Sequence, residues 1–237
     1  MRSLGGQMVC TACLGRASEG ASKLWTDLQE RMVNTKIDSR MRVAGVPAAF
    51  AAQSFETFRA PSPKAEKVVS VLRNYCGNFA ISRNKRTGFI FIGPPGTAKT
   101  HLACSMVQAL VLNGYTAAYA SLPRLTLDIR AAFGRARAVD DILKNLIAVD
   151  FLVLDEIDLH GSSDNDYNML YDIINSRYER TGFPTLAISN RQLERLHQDL
   201  DERVVSRLLA GTDPVVFDWP SQRDIRAQQN HARGGAL

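Results

Sequence analysis

The segment GPPGTAKT at Gly93–Thr100 constrains this chain more than any other, because of what stands on either side of it. Before it lies GFIFIG (Gly88–Gly93), a short continuous apolar run of the kind found in a strand buried on both faces. After it comes HLACSMVQALVLNG, a helical pattern that stops at Gly114. A strand, a Gly/Pro-rich loop carrying Lys-Thr, and a helix form the arrangement that cradles a polyphosphate. Gly93 and Gly96 let the backbone curl so that successive N–H groups face phosphate oxygens. Lys99 brings a positive charge to the β- and γ-phosphates, Thr100 offers a hydroxyl to Mg²⁺, and the helix N-terminus adds its dipole. The binding loop therefore comprises Gly93, Pro94, Pro95, Gly96, Thr97, Ala98, Lys99, Thr100 and His101. Ala98 stands where the motif has glycine, and the expectation is a negative φ there, on entry to the helix.

The second half of such a site is FLVLDEID (Phe151–Asp158). An apolar strand carries Asp155 and Glu156 to its C-terminal end, the edge where ligands bind in open parallel sheets. Asp155 is expected to hold Mg²⁺ opposite Thr100, and Glu156 to orient or deprotonate the attacking water. Asp158 is expected to stay outside the metal's ligand shell.

The remaining pattern alternates strands and helices, which implies a parallel sheet covered on both faces. Helices are expected at Lys64–Ala80, at Pro123–Ile147 as two short pieces flanking Gly134, at Asp166–Gly182 and along 191–211. Further strands are expected at Thr116–Ser121, Pro184–Ser189 and Pro214–Trp219, giving five in all. Residues 1–60 read as a small, mainly helical partner-binding region and linker, and 61–237 as the nucleotide domain. Pro61 and Pro63 mark a hinge in FRAPSPK.

The chain has 237 residues, 45% hydrophobic and 22% charged, enough for one α/β domain with a core and a small appendage. No apolar run is long enough to span a bilayer, and the N-terminus lacks the apolar stretch of a signal peptide, so a cytoplasmic protein without membrane contact is expected. A net charge of +5 is compatible with nucleic acid but does not require it. Cys10-x-x-Cys13 supplies two zinc ligands of the four a structural site needs; Cys76 and Cys104 read as buried apolar side chains.

GPPGTAKTHLA, LVLDEID, the strand ending Ser189-Asn190 and ERVVSRLL together resemble the AAA+ ATPases of the DnaC helicase-loader and IstB transposition-helper group, over roughly residues 40–220. The resemblance implies an AAA+ phosphate-loop core, ATP and Mg²⁺ as cofactors, and hydrolysis dependent on assembly into an oligomer. It implies that Asn190 is the polar sensor of the γ-phosphate. It also implies that Arg207 is an arginine finger for the neighbouring subunit, with Arg203 as its alternative or helper; a solvated helix face paired to Asp201 or Glu202 is the plainer reading. About 20 residues follow the fifth strand, too few for a C-terminal helical lid, so none is expected.

For the N-terminal region the resemblance implies contact with a replicative hexameric helicase, with Leu24, Trp25 and Leu28 as anchors; packing on the chain's own nucleotide domain is the alternative. The insertion between the second and third strands carries Arg130, Arg135, Arg137 and Lys144 for single-stranded DNA, against a solvated face balanced by Asp128, Asp140 and Asp141. Helicase loading is the leading expectation and a transposase helper acting on duplex DNA the second. A metabolite kinase would need an acceptor pocket that nothing in the sequence signals.

Overall fold

The computed structural model describes residues 2–4, 7–9, 26, 31–32, 35–85, 88–132, 135–158, 164–180, 182–210 and 212–222. Cys10, Cys13, Leu24, Trp25, Leu28 and Gly134, with the expectations placed on them, lie outside these residues. The chain divides into two compact units, Met1–Arg40 and Met41–Leu237. In the first, β1 (Arg2–Leu4) pairs antiparallel with β2 (Gln7–Val9), a hairpin absent from the sequence reading. Residues 35–43 are helical (α1).

The second unit begins well before residue 60. It runs through a 3₁₀ turn at Ala48–Phe50 to α2 (Pro63–Gly77), α3 (Phe79–Ser82), β3 (Gly88–Ile92), α4 (Lys99–Leu112), β4 (Ala117–Ser121), α5 (Leu122–Ala131), α6 (Ala136–Ala148), β5 (Phe151–Asp155), α7 (Asp164–Tyr178), β6 (Thr185–Ser189), α8 (Leu193–Asp199), α9 (Glu202–Leu209) and β7 (Thr212–Val216). The expected helix Lys64–Ala80 is cut at Asn78, after Gly77. Its start is capped by Ser62, whose side chain accepts from the Ala65 N–H, with Pro63 in the first turn. The stretch 191–211 breaks because Asp201 caps a new helix, accepting from the Arg203 N–H.

Five strands form one parallel sheet in the order β4-β5-β6-β3-β7. Side-chain alternation then sorts the core. Ile90, Ile92, Leu152, Leu154 and Ala187 join Leu122, Leu170, Ile173, Val205 and Leu208 in one buried cluster on the α5–α9 side. Phe89, Phe91 and Phe151 fall on the other side, where Tyr75 packs edge-on to Phe89 at 4.8 Å and Phe79 to Phe151 at 6.0 Å.

Helix α4 is buried almost all round. The sheet covers one side, and residues 44–58 cover another: Gln108 Nε2 donates to the carbonyls of Phe50 (3.0 Å) and Ala51 (3.2 Å). The Tyr119 N–H of edge strand β4 donates to Ala44 O at 2.7 Å, so this segment also covers the edge.

Nothing in the sequence singles out Arg177, yet it is 1% exposed. Its Nη1 donates to the carbonyls of Leu146, Ile147 and Val149 (3.1, 3.0 and 2.8 Å), Nη2 to Pro184 O (2.8 Å) and Nε to Thr185 Oγ1 (3.0 Å). These carbonyls include those a helix leaves unpaired at its C-terminus. Burial lowers the guanidinium pKa to about 9, which leaves it charged at neutral pH. Arg177→Met is expected to destabilise the protein by about 3 kcal/mol, because it strands buried acceptors. Urea unfolding of the variant against the parent measures this.

Candidate functional site

The parallel register sets the C-terminal ends of the strands along one edge: Ile92 lies opposite Ser189, and Ser121 opposite Asp155. Because β6 lies between β3 and β5, the phosphate loop and the acidic strand end are two strands apart, with Asn190 between them. The gap is bridged from α4: Thr100 Oγ1 donates to Asp155 Oδ2 at 2.7 Å. This hydroxyl and carboxylate are the hard oxygen donors that Mg²⁺ takes alongside phosphate oxygens.

In the loop, φ is positive at Gly93 (140°), Gly96 (83°) and Ala98 (70°). The negative φ expected at Ala98 is therefore wrong. The helix begins one residue later, at Lys99, and Ala98 as its N-cap takes the left-handed turn that swings the chain into α4. The Lys99 ammonium is nearly buried and donates to Gly93 O (2.7 Å) and Pro94 O (2.9 Å). Thr97 Oγ1 donates to Pro94 O at 2.9 Å. A curled backbone, a lysine held at its mouth and a hydroxyl–carboxylate pair fit a magnesium–triphosphate. A cavity of about 230 Å³ beside the loop is lined by Ala49, Phe50, Gln53, Ala98, Thr100 and His101, among others.

Burial holds the Asp155 pKa above the usual carboxylate value, with hydrogen bonds from Thr100 and Tyr119 offsetting only part of the rise. Tyr119 Oη donates to Asp155 Oδ2 at 2.8 Å, and burial together with that carboxylate pushes the phenol up. Glu156 follows in a left-handed conformation (φ 57°), its N–H donating to Asp155 Oδ1 at 2.8 Å. Ser121 Oγ donates to Glu156 Oε2 at 3.0 Å. Tyr119 and Ser121 went unnoticed in the sequence because strand β4 carries no motif; only its pairing with β5 brings them to the carboxylates.

Asp158 accepts from Ser189 Oγ at one oxygen and from the Asn190 N–H (2.7 Å) at the other, so it shapes the turn that bears Asn190. His101 lines the cavity, but its ring is committed elsewhere: Nε2 lies 3.0 Å from Ser54 O, and the ring meets Phe58 edge-on. Arg207 donates through Nε to Asn175 Oδ1 and stacks near Tyr171 and Tyr178. Arg203 pairs with Asp201 at 2.9 Å, the local pair of the plainer reading. Neither arginine shares a hydrogen bond with the loop or with the acidic pair among the described residues. In the insertion, Arg130 pairs with Asp166 (3.1 Å) and Lys144 with Asp140 (2.5 Å). Cys76 and Cys104 are buried, and burial pushes both thiols up to about 12. No helix among the described residues is long and apolar enough to cross a membrane.

Fold and site together define a phosphate-loop nucleotide-binding domain of the AAA+ class. The family model described as "IstB-like ATP binding protein" matches residues 24–211, and the chain belongs to that DnaC/IstB-like family. The replicative helicase loader DnaC of Buchnera aphidicola subsp. Baizongia pistaciae is 30% identical over 183 residues, 76% of this chain and 73% of the relative. That of Escherichia coli K12 is 29% identical over 172 residues, 72% and 69% respectively. Among solved structures, the DnaC helicase loader superposes with a TM-score of 0.65 at 21% identity, covering 72% of this chain and 99% of that one. AMPPCP-bound DnaA from Aquifex aeolicus does so at 0.61 and 18%, covering 78% and 56%. These two likenesses bear out the expected fold.

A left-handed alanine costs about 1 kcal/mol that glycine avoids. Ala98→Gly is expected to raise the unfolding free energy by about that amount, measured by denaturant titration.

Proposed function

We propose that the chain is an ATP-dependent loader of a replicative hexameric helicase, which hydrolyses ATP once assembled into an oligomer. The observation that carries the ATPase reading is the Thr100–Asp155 hydrogen bond beside Lys99, in a chain of the DnaC/IstB-like family. The helicase partner rests on what the DnaC relatives are named for.

The chemistry follows from what each residue presents. When bound, ATP supplies the γ-phosphoryl group, and Mg²⁺ draws charge from its oxygens. Lys99 exchanges its two carbonyl partners for phosphate oxygens. Thr100 and Asp155 would hold the metal through their hydroxyl and carboxylate oxygens. Glu156, on leaving Ser121, orients the attacking water and takes its proton. Asn190, fixed through Asp158, senses the γ-phosphate. Arg207 reaches the neighbouring subunit's site and offsets charge spread over the equatorial oxygens, with Arg203 steadying its helix. Arg135 and Arg137 on and beside α6 are the proposed contacts to single-stranded DNA, since Arg130 and Lys144 already have carboxylate partners.

Lys99→Ala is expected to abolish ATP binding, as read by isothermal titration. Glu156→Gln should keep ATP affinity and lose about a hundredfold or more in turnover. Arg207→Ala should likewise bind ATP but turn over about a thousandfold more slowly, with activity restored on mixing with Lys99→Ala subunits that donate an intact Arg207. Co-purification with a hexameric helicase supports the loader; capture of a transposase instead makes the chain a transposition helper.

A further inference from the structure

The chain after β7 doubles back over the phosphate loop as a short strap, Phe217–Gln222. It is anchored by an aromatic ladder rising out of the core: Phe91 to Phe217 at 4.9 Å and Phe217 to Trp219 at 4.7 Å between ring centres. Trp219 is 4% exposed. The strap is pinned further where the Phe217 N–H donates to Ile92 O at 2.8 Å and where Gln222 Nε2 donates to Arg59 O at 2.9 Å.

Two of its donors end on the loop backbone. The Trp219 indole N–H donates to Thr97 O at 3.0 Å, and the Gln222 N–H to Gly96 O at 2.9 Å. In a planar trans peptide the carbonyl and the following N–H point in opposite directions. A carbonyl held by the strap at Gly96 therefore turns the Thr97 N–H away from the strap, and one held at Thr97 does the same for the Ala98 N–H. Both loop glycines also clear the strap: a Cβ on Gly96 would strike the Ser221 side chain, and one on Gly93 the Phe217 carbonyl.

We infer that Trp219 and the Gln222 N–H are positioning groups that aim the Thr97 and Ala98 amides at the phosphates, so that the strap sets the affinity of the site. The inference rests on the nucleotide reading above. Preformed donors need no reorganisation when the anion arrives, so removing the strap's grip should weaken ATP binding while leaving the hydrolytic step alone.

The test uses the full chain. Trp219→Phe keeps an aromatic ring and deletes one donor; Gln222→Pro deletes the other. Each is expected to raise the ATP dissociation constant roughly fivefold to tenfold, the worth of one hydrogen bond. In both, kcat at saturating ATP should hold within about twofold and the nucleotide-free melting temperature within about 3 °C. In the unmutated strap, observed in Trp25→Phe protein labelled with ¹⁵N-tryptophan, the Trp219 indole proton should exchange slowly with solvent; this readout does not depend on either strap variant folding. The inference is overturned if both variants bind ATP like the parent, if affinity, kcat and melting temperature fall together, or if the indole proton exchanges as freely as in a peptide. A parent protein that binds no ATP overturns the nucleotide reading itself, which keeps the two failures apart.

Discussion

The hydrogen bond from Thr100 to Asp155 joins groups 55 positions apart in sequence and two strands apart in the sheet. It forms because α4 starts immediately beyond the loop and its first turn projects Thr100 sideways across the end of β6. Were β3 and β5 adjacent, Asn190 would have no place between phosphate loop and carboxylate. The interposed strand thus makes room for a polar side chain between the Thr100–Asp155 pair and the glycine-rich loop. The apolar sheet core, the burial of α4 and the cover supplied by residues 44–58 all hold that one geometry.

Around this bond the structure arranges polar groups in reserve. Lys99 donates to loop carbonyls, Glu156 accepts from Ser121, and Asp155 accepts from Thr100 and Tyr119. Each of these named partners is a neutral oxygen. An acidic group buried against a fixed cation would bind more firmly and exchange less readily. The positive φ at Ala98 and at Glu156 places backbone strain at the residue that leads into α4 and at the one that follows β5.

Much of this was legible in the residues. The loop, the acidic strand end and the strand order's five members each carry a local signal: glycine spacing, continuous apolar runs, a Lys-Thr pair. What escaped was every partner that is distant in sequence and ordinary in kind. Tyr119 and Ser121 sit on a strand with no motif. Asp158 looked like one more acidic residue until Ser189 and Asn190 folded onto it. Arg177 reads as a polar position on a helix, yet it closes the end of α6. Ala98 was given the wrong backbone sign because a helix boundary cannot be fixed to one residue from its pattern alone.

By itself the amino-acid order determined the local chemistry: which backbone can curl around an anion, which strand end is acidic, which helix begins at the lysine. Those follow from dihedral freedom and hydrophobic period, both properties of neighbours along the chain. Only the tertiary structure decided that Trp219 and Gln222 would grip Gly96 and Thr97, and that Asp155 would meet Thr100 and Tyr119. Such contacts depend on strand order and on the path of the chain beyond β7, and no short-range pattern encodes either.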